Sequence, residues 1–238
     1  MGLVTMSILH QSRLFPPAEE ANADGIVGFG GRLQPDWLLD AYRHGIFPWP
    51  TGEEGLPIPW CSPDPRAIIE IDAFHVPRRL ARTCRSGRLA VTRDRDFHGV
   101  ICGCATCEGR RGRTWLIPAM IRAYERLYEL GHAHSVEVWH EGRLAGGIYG
   151  VAVGGLFAAE SMFHDLRDAS KVALVHLVEH LRQRGYRLLD IQQLTPHTAR
   201  FGGTEIPRRE YLRRLAEALP QPVSFAEPQP QPLQSPTA

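Results

Sequence analysis

Three apolar stretches, residues 135–139, 144–153 and 155–161, are joined through turns at Glu141-Gly142 and Gly154-Gly155. Two-residue, glycine-bearing junctions are too short for a crossover but suit the tight turns of β-hairpins. This part of the chain is therefore expected to fold as a three-stranded antiparallel meander. Before it, residues 118–130 place Met120, Ile121, Tyr124, Leu127 and Tyr128 at helical spacing and stop at Gly131. After it come a helix over 169–184 ending at Gly185, an apolar strand over 186–192, and a last helix over 208–218. Helix, meander, helix, strand, helix is the order of an α+β domain.

Polar groups interrupt this pattern where a core should be. Glu160-Ser161-Met162-Phe163 closes the meander, and Asp190-Ile191-Gln192 ends the later strand. In a regular strand residues i and i+2 share a face, so Asp190 and Gln192 are expected to point the same way. Unpaired carboxylates are costly to bury. The arrangement suggests a site.

With 238 residues, one large or two small domains are expected. No apolar run approaches the ~20 residues that cross a bilayer, and the first residues lack the apolar core of a signal peptide. A cytoplasmic enzyme is the expectation. The net charge is only +1, but arginines cluster at Arg78, Arg79, Arg82, Arg85 and Arg88, at Arg110, Arg111 and Arg113, and at Arg208, Arg209, Arg213 and Arg214. The planar guanidinium fork suits phosphate, and three clusters in one near-neutral chain lean towards a polyanion. Cys102, Cys104 and Cys107 invite zinc, for which Cys84, His98 or Cys61 would have to complete the set. No second closely spaced pair exists, and buried or incidental thiols are the expectation.

Residues 1–62 are turn-rich, with a short helix over 37–42 behind Asp36 as cap and proline-bound extended segments at 46–50 and 57–60. They are expected to form a small N-terminal domain. Residues 63–219 would form the main domain, opening with a strand over 67–71, a helix over 77–85, a strand over 89–92 and a helix over 96–104. The Pro- and Gln-rich stretch 220–238 is expected to be disordered.

Along this order the chain resembles the leucyl/phenylalanyl-tRNA–protein transferase family. The matching segments are Gly30-Gly31 through Gly45-Ile46-Phe47-Pro48-Trp49, Trp60-Cys61-Ser62-Pro63-Asp64-Pro65-Arg66, and Gly112-Arg113-Thr114-Trp115. Further on are Gly131-His132-Ala133-His134-Ser135-Val136-Glu137, Gly146-Gly147-Ile148-Tyr149-Gly150, Glu160-Ser161-Met162-Phe163, Ala169-Ser170-Lys171, Asp190-Ile191-Gln192, and His197-Thr198 through Ile206-Pro207-Arg208-Arg209. The resemblance runs from about residue 14 to 215, and the ordered set is specific where each motif alone is weak. It implies a Gcn5-related N-acyltransferase-like main domain, a mixed sheet flanked by helices. It also implies transfer of leucine or phenylalanine, or methionine, from a charged tRNA to proteins bearing N-terminal Arg or Lys, which marks them for degradation. No cofactor or metal is implied.

The resemblance also assigns roles. Gln192 would position the attacking amine through its amide oxygen, with Asp190 polarising that amide. Glu160 would contact the α-ammonium of the transferred residue, and Ser161 would support the strand end. Ile148, Phe157, Met162, Leu174, Leu177 and Leu189 match the side-chain pocket. Trp49 and Trp115, with Tyr42 and Tyr124 close by, match the surroundings of the 3′ adenosine. Arg78, Arg79, Arg82 and Arg85 match a basic helix for the acceptor stem. From the residues alone, Asp190 could instead serve a backbone or arginine partner, and Glu160 could pair with Lys171 or an arginine.

The chain departs from the family at Arg32, Asp168, His164-Asp165 and Arg200-Phe201-Gly202-Gly203, so donor and acceptor selectivity stay open. Two rival functions remain. An acyl-CoA N-acetyltransferase would cradle pyrophosphate on a glycine-rich turn, whereas 164–168 has no glycine and carries Asp165 and Asp168. A non-catalytic tRNA-binding module would use the arginines alone.

Overall fold

The computed structural model describes residues 9–50, 55–107 and 114–226. A seven-stranded sheet dominates it. Its strands are β4 (Arg66–Ile69), β5 (Ala90–Arg93), β6 (Ala133–His140), β7 (Arg143–Val153), β8 (Leu156–His164), β9 (Leu188–Gln192) and β10 (Gly203–Ile206), in the order β10-β4-β9-β8-β7-β6-β5. The meander β6-β7-β8 is antiparallel, and Glu141 and Gly142 both take positive φ, as a type I′ turn requires. Among the described strands only β8 and β9 pair in parallel, because helix α5 (Ala169–Arg184) carries the chain between them. The mixed sheet with helices on both faces is the α+β arrangement expected from the sequence.

Helices α3 (Phe97–Thr106), α4 (Pro118–Glu129) and α7 (Arg208–Ala218) cover one face of this sheet, and α2 (Arg78–Arg85) and α5 cover the other. Glycines on β7 let the helices approach. A Cβ on Gly146 would lie 2.7 Å from the Cβ of Ala169 in α5, and one on Gly147 2.8 Å from Val100 in α3. Successive residues face opposite sides of a strand, so the Gly-Gly pair admits one helix on each side.

The N-terminal part folds around a small sheet, β1 (Ile26–Phe29), β2 (Phe47–Pro48) and β3 (Pro59–Cys61), in the order β1-β3-β2, with helix α1 (Pro35–Arg43). Pro35 is the first helical residue and Gln34 the cap, which corrects the expectation of an Asp36 cap. Proline has no N–H to lose at that position. The core is continuous: Leu38, Tyr42 and Phe47 join Tyr124, Tyr211 and Leu212 in one buried cluster.

The short strand β10 and the helix α6 (Pro196–Ala199) were not foreseen. Residues 220–226 are also not loose, because Phe225 is buried between the rings of His134 and His180 and the latter's Nε2 lies 2.8 Å from the Phe225 carbonyl. The rest of that stretch, 227–238, lies outside the described residues, as do Arg110, Arg111 and Arg113. Among the described residues no helix is long and apolar enough to cross a membrane.

Candidate active site

Two irregularities open the centre of the large sheet. Along the β7–β8 ladder, Tyr149 pairs Ser161 but Gly150 pairs Ala159, leaving Glu160 as an extra residue. Along β4–β9, Ile68 pairs Asp190 but Ala67 pairs Gln192, leaving Ile191 extra. These are β-bulges, which bend a strand and re-aim its side chains. The parallel pairing of β8 with β9 ends at Ala158 and Asp190. Beyond it lies a cavity of about 720 Å³ whose lining includes Glu160, Ser161, Met162, Ile148, Leu174 and Gln192.

At this cavity Glu160 accepts hydrogen bonds from the Tyr124 hydroxyl at 2.9 Å and from the Gln192 Nε2 at 3.1 Å. The Tyr42 and Tyr124 hydroxyls lie 2.8 Å apart. Burial pushes the Glu160 carboxyl up to about 7, against the hydrogen bonds of Tyr42 and Tyr124, which lower it. Lys171, considered as its partner, pairs with Asp168 instead. A carboxylate can only accept, so the Gln192 amide nitrogen faces Glu160. The amide oxygen has no hydrogen-bond partner among the described residues.

Asp190 takes the alternative arrangement, with both an arginine and a backbone partner. It is fully buried and does not line the cavity. The Arg66 guanidinium grips it twice, Nε to Oδ1 at 2.9 Å and Nη2 to Oδ2 at 2.6 Å. The Tyr211 hydroxyl donates to Oδ2 at 2.8 Å, and the backbone N–H of Gln192 donates to Oδ1 at 2.9 Å. The carboxylate therefore touches the backbone of Gln192 and not its side-chain amide, which corrects the idea that it polarises that amide. The bulge at Ile191 is the reason, since it breaks the simple alternation that would have put both side chains together. Arg66 and Tyr211 were missed. Beyond the place of Arg66 at the end of a family-matching segment, their sequence signal was a charged residue opening an apolar strand and a tyrosine on the apolar stripe of a helix.

The expected pocket residues divide. Ile148, Met162 and Leu174 line the cavity, whereas Phe157, Leu177 and Leu189 lie in the core beneath it. The lining also includes polar residues to which no role had been assigned: His164, Ser170, Gln193, Thr195, His197 and Thr198. Trp49 and Trp115 stack on one another, 6.0 Å between centroids and 17° between planes, and Trp49 is 37% exposed. Tyr42 and Tyr124 are buried, so their rings offer no open face.

Arg78, Arg79, Arg82 and Arg85 are exposed along α2. Lys171, with weaker help from Arg167 and from Arg79, holds the Asp168 carboxyl below its ordinary range. Three of the four arginines of α7 have partners within the fold: Arg213 with Glu210 and Glu217, Arg214 with Glu210 and Glu70, and Arg208 with the Ser62 carbonyl, while Arg209 is exposed. Among the described residues no group of three or more His, Cys, Asp or Glu could hold a metal ion, and Cys104 is buried in the core.

Comparison with known proteins decides the family. The model for the leucyl/phenylalanyl-tRNA protein transferase matches residues 68–216, and the model for its N-terminal domain matches residues 31–64. The chain belongs to this family. It is 52% identical over 210 residues to the leucyl/phenylalanyl-tRNA–protein transferase of Nitratidesulfovibrio vulgaris strain DP4, covering 88% of this chain and 89% of the relative. The transferase of Solidesulfovibrio magneticus is 47% identical, covering 94% and 95%. Among solved structures, the C-terminal domain of a putative lysylphosphatidylglycerol synthetase from Agrobacterium fabrum is similar at a TM-score of 0.39 and 14% identity, covering 76% of this chain and 62% of that one. A GCN5-related N-acetyltransferase from Kribbella flavida is similar at 0.37 and 9%, covering 73% and 61%.

Proposed function

We propose that this transferase moves leucine or phenylalanine, or methionine, from its tRNA ester to the N-terminal α-amine of proteins beginning with Arg or Lys, marking them for degradation. The observation that carries the reading is the Glu160–Gln192 pair at the cavity. The Gln192 amide nitrogen is held by the Glu160 carboxylate, and its amide oxygen has no hydrogen-bond partner among the described residues. An unpartnered oxygen beside an apolar recess is what an attacking amine needs to be aimed at a bound ester.

The ester is already activated, so positioning does most of the work. In this reading the donated side chain enters between Ile148, Met162 and Leu174, and its α-ammonium meets Glu160. The acceptor amine, deprotonated, donates a hydrogen bond to the Gln192 oxygen, which turns its lone pair towards the carbonyl carbon. The C–N bond forms and the ester C–O bond breaks, and the proton lost from nitrogen leaves with the ribose oxygen. Ser161 supports the strand end.

The N-terminal unit, 1–62, lends Trp49 to a platform with Trp115 for the 3′ adenosine, where base stacking is worth ~1–3 kcal/mol. Residues 63–219 form the catalytic domain. Arg78, Arg79, Arg82 and Arg85 take phosphates of the acceptor stem, contacts that position without reading sequence. The protein would act as a monomer in the cytoplasm.

The test is transfer from charged leucyl- or phenylalanyl-tRNA to peptides that differ only in their first residue. Transfer to Arg- and Lys-initiated peptides, and none from acetyl-CoA, is expected. Absence of transfer from either tRNA to those peptides would refute the reading.

A further inference from the structure

Gln192 holds its place against its own backbone preference. Its φ is +57°, in the left-handed region that a residue with a Cβ adopts at a cost. Something must compensate, and the contact that does so is the hydrogen bond from the Gln192 N–H to Oδ1 of Asp190. That carboxylate is itself immobilised. A carboxylate offers about four lone-pair sites, and here two are taken by Arg66, one by Tyr211 and one by Gln192. Arg66 is fixed in turn. Its Nη1 donates to the carbonyl of Gly45 at 3.1 Å, and its guanidinium lies between the rings of Phe47 and Tyr211 at 4.6 and 4.5 Å. Arg66, Asp190 and Tyr211 are buried, and none of the three lines the cavity.

We infer that Arg66 and Tyr211 are positioning residues for the transfer reaction: by saturating the Asp190 carboxylate they make it a fixed anchor for the left-handed Gln192 backbone, and so aim the Gln192 amide oxygen. Asp190 acts through the main chain and never meets the substrate. This inference rests on the proposed role of Gln192 and extends it. A bidentate guanidinium defines the carboxylate plane, which an ammonium cannot do. The tyrosine hydroxyl then fills the acceptor site left on Oδ2. Without it one acceptor site on Oδ2 is empty and the carboxylate can shift within the guanidinium fork, so the amide oxygen loses its aim while the cavity keeps its shape.

The test is a double-mutant cycle read by kinetics at saturating peptide and charged tRNA. Tyr211→Phe keeps the ring against Arg66 and removes only the hydroxyl, and Arg66→Lys keeps the charge and removes the fork. Each is expected to lower kcat roughly tenfold or more, while the KM for charged tRNA stays within about twofold. The deciding measurement is made in the Gln192→Ala background. There Tyr211→Phe should cost nothing further, because a hydroxyl that acts only by aiming Gln192 has nothing left to aim.

Two results overturn the inference alone, with Gln192→Ala itself strongly impaired: a Tyr211→Phe enzyme as fast as the parent, or penalties that multiply in the double variant. Full turnover by Gln192→Ala would instead remove the role of Gln192, and the inference with it. Circular dichroism and the Tm of Tyr211→Phe separate misfolding from misalignment. If Arg66→Lys fails to fold, the tyrosine cycle still decides.

Discussion

Glu160 is the residue on which stability and function are most plainly opposed. Burial pushes its carboxyl up to about 7, well above the ordinary carboxylate value, and no cation pairs with it among the described residues. A carboxyl whose folded-state pKa is raised stabilises the fold while it is neutral. That contribution is complete below about pH 4.5 and is lost as the pH rises through 7. The difference corresponds to about 3 kcal/mol at most. Glu160→Gln should therefore melt close to the parent at pH 5 and above it at pH 8. The same variant should bind charged tRNA more weakly, because the anion that meets the α-ammonium is gone. Melting curves and donor binding at the two pH values check both halves. A variant no more stable than the parent at pH 8 would show that the folded protein does not bear the charge as described. Tyr124 and Tyr42 fit the same picture, their hydroxyls running in a chain towards the carboxylate.

At the scale of elements, helix α2 is the feature whose purpose is least structural. Only Leu80 is buried, while Arg78, Arg79, Arg82 and Arg85 project into solvent. Replacing Arg78, Arg82 and Arg85 with Gln should weaken binding of charged tRNA. It should also flatten the salt dependence by up to roughly one counterion for each phosphate left without its arginine. Transfer from a minimal 3′-aminoacyl adenosine should be nearly unaffected. An unchanged salt slope would show that the helix does not touch the nucleic acid.

Sequence reasoning reached these elements because long, periodic segments such as α4, α5 and α7 declare themselves through apolar spacing and glycine stops. It did not reach the bulges at Glu160 and Ile191, since a one-residue insertion leaves no periodic trace. For the same reason Asp190 and Gln192 could be found as misplaced polar residues while the direction of the Asp190 side chain could not. The pair Arg66–Asp190 spans 124 positions, and nothing local in either segment announces the other. Short β10, made legible only by its pairing with β4, went unseen as well.

At the scale of the whole molecule, the N-terminal part packs against the main domain at several places, and Gly45 lies at one of them. Its φ is +74°, and a Cβ there would sit 2.6 Å from Cδ2 of Leu212 and 3.1 Å from Cε1 of Tyr211. Its carbonyl receives Nη1 of Arg66. The residue thus sets how closely the turn after α1 can approach α7, and with it where the Arg66 guanidinium rests. Gly45→Ala adds a methyl group in a backbone conformation that disfavours it and into space already filled, two penalties that together should cost about 2 kcal/mol or more. Because the displaced atoms belong to the assembly that anchors Asp190, catalysis should fall further than stability alone explains. At a temperature where the variant is fully folded, kcat should be reduced while the KM for charged tRNA is close to that of the parent. A variant that loses stability but keeps its kcat would separate this contact from the site. It would also mean that the contact serves folding only.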